Sequence, residues 1–186
     1  HAELHHFFLR YVHDQLKHIA TMNAFFMKKS LVALSVSFLM NAFAHAELKT
    51  GYIMPLETAE LMAKNVMHAC QLEAKPAAVV VLDQGGNVLI SQRHESVGIH
   101  NLIAAERKAF TAYSTKTNSL DFMRNAQKNP DAQNLNSLPE LLLLGGGVPV
   151  VYKNQLLGAV GVAGAGGSVQ DHQCAQKGIE ITLKTL

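Results

Sequence analysis

Apolar side chains at Ala59, Met62, Val66 and Cys70 recur at helical spacing, which predicts a helix from Pro55 to about Glu73 with one buried stripe. Pro55 suits a first turn, where its missing N–H costs nothing, and Glu57 and Glu60 suit the positive end of the helix dipole. Lys75-Pro76 ends the run. Residues 77–82 are apolar without a break, residues 83–87 (DQGGN) are turn formers, and residues 88–93 read as a second strand, so the pair predicts a hairpin. After an irregular stretch at 94–98, a helix is expected from about His100 to Tyr113, burying Leu102, Ala105, Ala109 and Ala112. Ser119 is placed to cap a short helix running to about Lys128, which Asn129-Pro130 stops. Residues 131–139 read as an exposed loop.

The stretch 141–167 (LLLLGGGVPVVYKNQLLGAVGVAGAGG) organises the rest. It reads as an apolar run, a triple glycine, and two strands joined at Lys153-Asn154, the second running into another glycine cluster. A closing helix over 169–186 carries Ala175, Ile179, Leu183 and Leu186 on one side. Strands joined by tight turns or by helices, without regular βαβ alternation, predict an α+β fold: an antiparallel sheet with helices packed on it.

Residues 27–46 belong to a different pattern. Met27-Lys28-Lys29, a short apolar run over 31–40 and the A-x-A spacing around Ala42, Ala44 and Ala46 describe a secretory signal peptide. That run is too short for a permanent membrane span. Residues 1–26 are then an upstream extension outside the functional reading, and 47–186 form one exported, periplasmic or secreted domain. Removing 1–46 takes Arg10, Lys17, Lys28, Lys29, Glu3 and Asp14 from totals of 16 basic and 14 acidic residues, leaving 12 of each. A neutral domain with dispersed charge carries no electrostatic footprint for nucleic acid, and no apolar stretch remains to span a membrane. In an exported chain Cys70 and Cys174 are free to bridge. Both fall on apolar helix faces, and buried free thiols are weighed slightly above a disulfide.

Familiar catalytic signatures are missing: the sequence has no H-E-x-x-H, G-x-S-x-G or C-x-x-C. The cluster at 164–167 lacks the third glycine of a dinucleotide fingerprint, because position 169 is Val, and only one helix follows. Gly145, Gly146 and Gly147 precede no Lys-Ser/Thr and form no phosphate loop of the Walker type. Of the scattered histidines (His68, His94, His100 and His172), His94 and His100 are the best metal candidates, since they flank the irregular strand-to-helix link. Arg107 and Lys108 could pair a ligand carboxylate, though a solvated helix face is the plainer reading. Thr111 and Tyr113 add hydroxyls nearby.

Six short blocks, in order and spacing, carry a resemblance. They are residues 79–89 (VVVLDQGGNVL), Arg93, residues 108–112 (KAFTA), residues 145–150 (GGGVPV), residues 157–162 (LGAVGV) and residues 167–172 (GSVQDH). Together they are similar to the GlcG/HbpS-like haem-binding (haem-degrading) family, over nearly all of the chain after residue 56. The insert at 134–144 resembles the GlcG-type branch, and Arg93-His94-Glu95-Ser96-Val97 stands where the family usually has Arg-x-Asp-Gly-Ala. The resemblance implies a profilin-like layered fold with a five-stranded antiparallel sheet, homo-oligomers, and a haem-contacting threonine at Thr111.

Three functions follow as expectations. The first is an exported oligomer that binds haem or a related tetrapyrrole between helix 100–113 and the glycine-rich strands, with little or no catalysis. Arg107 or Lys108 would meet the propionates, Thr111 or His100 would approach the metal, and Gly146 and Gly147 would allow close approach. The second is an enzyme or binding protein for a small organic acid of the glycolate type, with His94, Glu95 or Asp171 as acid or base. The third is a signalling or interaction partner at the cell envelope.

Overall fold

The computed structural model describes residues 50–73 and 75–186, together with His13, Leu16, Lys17, Thr21 and Met22. The chain divides into two units, 1–49 and 50–186, and the predicted signal peptide lies outside the described residues. The second unit runs α1 (Leu56–Gln71), β1 (Ala78–Leu82), β2 (Val88–Arg93), α2 (His100–Thr115), α3 (Ser119–Lys128), a 3-10 helix (Pro130–Ser137), β3 (Gly147–Tyr152), β4 (Gln155–Ala163) and α4 (Ser168–Leu183). The sheet is antiparallel throughout, in the order β2-β1-β4-β3. No helix among the described residues is long and apolar enough to cross a membrane.

Alternation along the central strands builds two cores. Val79, Val81, Val160 and Val162 point to α1 and α4, meeting Met62, Val66, Ala175 and Ile179. Ala78, Val80, Leu82, Ala159 and Ala163 point the other way, onto Ala105, Ala109 and Ala112 of α2. Both faces of β1 are covered, which is why its sequence is continuously apolar. The α2 interface is built from alanine and glycine because helix and sheet come unusually close. A Cβ added at Gly161 would fall on the Ala105 carbonyl.

Five expectations need correction. The described residues hold four strands, not five. The segment before α1 lies beside the β3–β4 turn, but Tyr52 bonds there through a side chain. Its N–H donates to Gln155 Oε1 at 2.9 Å and its carbonyl accepts from Gln155 Nε2 at 3.3 Å, so no ladder extends the sheet. Cys70 and Cys174 form a disulfide rather than two free thiols, because packing of α1 on α4 brings their Cα atoms to 5.2 Å. Residues 130–137 are exposed as expected but coil into a 3-10 helix, with Pro130 in its first turn and Asn129 Oδ1 accepting from the Asp131 N–H. Ser119 does not cap α3. Asn118 holds that position, and the Ser119 hydroxyl reaches instead to the Leu144 carbonyl. The last helix ends at Leu183, leaving Leu186 exposed. At the β3–β4 turn, Lys153 and Asn154 both have φ in the left-handed region, as a two-residue hairpin turn requires.

Candidate functional site

The α2 helix carries most of the residues singled out from sequence, and the structure sorts them onto different faces. Inward, Lys108 is buried and donates to Asp171 Oδ2 at 2.7 Å and to the Val162 carbonyl at 3.1 Å. Asp171, also buried, accepts the Ala165 N–H at 2.8 Å through its other oxygen. The pair therefore ties α2, β4 and the first turn of α4 together. Gly146 and Gly147 press against this knot. Gly146 has φ +126°, and a Cβ there would crowd Asp171 Cβ and Lys108 Cδ, while one at Gly147 would meet the Lys108 carbonyl. Lys108, Gly146, Gly147 and Asp171 thus do come together, in close packing.

Thr111 sits one turn further along and is fully buried. Its hydroxyl donates to the Arg107 carbonyl at 2.8 Å and accepts the Leu142 N–H at 2.9 Å. Arg107 is half-buried. Its Nη2 donates to the Leu141 carbonyl at 2.8 Å, its Nε is buried without a protein partner, and no ion pair among the described residues includes it. This guanidinium lines a cavity of about 350 Å³ with Leu82, Gly86, Glu106, Phe110 and Glu140. A smaller hollow of about 170 Å³, lined by Met123, Gln127, Asn136 and Leu143 among others, lies between α3 and the 3-10 helix.

His100 opens α2 and is exposed, with Nε2 3.3 Å from Asn101 Nδ2. His94 lies in the link before it, its Nδ1 2.8 Å from Ser96 Oγ and 3.6 Å from Glu95. No group of three metal-capable side chains occurs among the described residues. Arg93 holds this link in shape by donating to the carbonyls of His94, Glu95 and Val97. Ile99, just before α2, and Ile103 on it are 67% and 63% exposed. His100, Ile103 and Arg107 follow at i, i+3 and i+7, so they share one face, with the outer two about 10 Å apart along the axis. The sequence reading missed Phe110, which lines the cavity, and the exposed Ile103. Ile103 was legible as an apolar side chain on the face opposite the alanine stripe.

Away from this face, α4 carries His172. Burial pushes its pKa below the usual histidine value; Asp121 opposes this and Arg124 adds to it. Its Nδ1 is buried without a partner.

Comparison with known proteins identifies the family and the fold. Residues 54–180 match the family model of the HbpS-like haem-degrading proteins. The chain belongs to the HbpS-like family. A double mutant of Streptomyces reticuli HbpS is 31% identical, with a TM-score of 0.67 over 75% of this chain and 94% of that one. Klebsiella pneumoniae ORFY is 26% identical, with a TM-score of 0.70 over 77% and 99% of the two chains. PduOC, solved as a haem complex, shares the HbpS-like fold at 21% identity, with a TM-score of 0.61 over 69% and 94%.

Proposed function

We propose that this protein is an exported, homo-oligomeric haem- or tetrapyrrole-binding protein, and that the outward face of α2 holds the ligand. The observation that carries it is the order His100, Ile103, Arg107 on one helix face: an exposed imidazole, an exposed apolar side chain and a guanidinium with no carboxylate partner among the described residues. Haem supplies a Lewis-acidic iron in a flat apolar ring with carboxylate arms at one edge. The three side chains match those three features in kind and sequence. Phe110 and Leu82, beside Arg107 in the cavity, add apolar surface. Arg107 is the better carboxylate partner than Lys108, whose charge is already met by Asp171. His94 is a second candidate metal ligand, with one ring nitrogen engaged by Ser96.

Membership of a haem-degrading family and the haem complex of PduOC support the ligand class. Binding rather than turnover is the favoured act, because Asp171, the best buried acid–base candidate, is committed to Lys108 and Ala165. The Cys70–Cys174 disulfide supports an oxidising compartment, as the signal-peptide pattern also does. Exposed Ile53 and Ile99 support self-association.

A hemin titration followed by absorbance tests the reading. Saturable, stoichiometric binding weakened by Arg107→Ala is expected. An unsaturating response that is the same in the variant overturns it, and binding of glycolate-type acids at Arg107 alone would favour the small-acid reading.

A further inference from the structure

Four consecutive leucines at 141–144 precede the triple glycine, yet none belongs to either core and Leu144 is exposed. The segment has no regular structure. What fixes it is a row of polar latches: Leu141 carbonyl to Arg107 at 2.8 Å, Leu142 N–H to Thr111 at 2.9 Å, and Leu144 carbonyl to Ser119 at 2.7 Å. Open space flanks it on both sides, since Glu140 lines the 350 Å³ cavity and Leu143 the 170 Å³ hollow. Beneath it lies the fully buried Thr111 hydroxyl.

We propose that residues 140–144 form a strap that lifts from α2 to admit the ligand and lays its leucines on the ligand's apolar face. The inference rests on the tetrapyrrole reading of the α2 face. Three short hydrogen bonds and a long one of 3.5 Å from the Thr111 hydroxyl to the Leu142 carbonyl, without core burial, are a weak hold beside the fold itself. Lifting frees Arg107 and Thr111, joins the two cavities, and carries the Glu140 carboxylate away from the place where an anionic ligand edge would meet Arg107. A strap held shut by latches lowers apparent affinity by the fraction of molecules that are closed. Loosening a latch that does not touch the ligand therefore tightens binding.

Hydrogen exchange of the full chain tests this, read at the Leu142 amide with the β1 amides as the internal standard. Ser119→Ala removes the distant latch together with the acceptor of the Gly147 N–H at the start of β3, and exchange at Leu142 should rise about fivefold while β1 is unchanged, the effect of one hydrogen bond in a strap that moves as a unit. Hemin should speed exchange at Leu142 in the unaltered chain, and Ser119→Ala should tighten hemin binding by a similar factor. An unchanged Leu142 rate in Ser119→Ala overturns the strap. So does saturable hemin binding with Leu142 protection unchanged or increased, an outcome that leaves the haem reading standing. If hemin fails to bind while Ser119→Ala still speeds Leu142, the strap is upheld as a moving unit and the haem reading falls.

Discussion

Replacing Lys108 with methionine removes one half of a buried ion pair while keeping most of the side-chain volume. Lys108 and Asp171 are both almost fully excluded from water, so solvent cannot take over the abandoned charge. The Asp171 carboxylate would keep only the Ala165 N–H, and the Val162 carbonyl would lose its donor. Breaking a buried pair from one side costs about 3–5 kcal/mol. Against a total stability of roughly 5–15 kcal/mol for a domain, that is a large fraction. In a domain of this size it lowers Tm by roughly 10–20 °C. Urea unfolding followed by far-UV circular dichroism measures the loss directly. The double variant Lys108→Met/Asp171→Asn removes the stranded charge and keeps an acceptor for Ala165, so it should recover about half of the loss or more. A single-variant loss below about 1 kcal/mol would refute the reasoning, as would a double variant no more stable than the single one.

Two further predictions concern stability. The Cys70–Cys174 bridge closes a loop of 104 residues, and changing both cysteines to alanine should cost about 2–5 kcal/mol by the same urea assay. Reductant should destabilise the unaltered chain and leave that variant alone; equal sensitivity would contradict the bridge. His172 is held neutral chiefly by burial, with its pKa below the unfolded value near 6.5. Its contribution is fully present above that value and declines as pH falls from there to the folded pKa, because the unfolded chain takes up the proton first. Comparing the stability loss between pH 7.5 and 5.5 in the unaltered chain and His172→Leu isolates this; the variant should lose less, and an identical slope would exclude the effect.

Local pattern carried much of the fold. The apolar run of β1, the alanine stripe of α2 and the Lys153-Asn154 turn each depend on neighbours within a few residues, and each formed as its sequence predicts. What escaped depends on contacts across long separations. Cys70 and Cys174 meet only because α1 packs on α4, and spacing alone cannot reveal that packing. Lys108 reads as a surface cation until Asp171, 63 residues away, arrives beside it. The motif around Thr111 drew notice, but its occupation by the Leu142 N–H depends on how the 134–144 insert returns over α2. Gly146 and Gly147 were expected against a ligand, and what approaches them instead is Lys108 and its helix, which the sequence alone does not place there.

In the proposed complex α2 would meet the metal of a tetrapyrrole through His100 and its carboxylate edge through Arg107. The direct measurement compares hemin with metal-free protoporphyrin on the unaltered chain, His100→Ala and Arg107→Ala. Loss of a charge-assisted contact should weaken binding of both ligands by about 10- to 100-fold in Arg107→Ala. His100→Ala should weaken and spectrally shift hemin alone, leaving protoporphyrin binding intact. Equal affinities across all three proteins would contradict the placement of the ligand on this face.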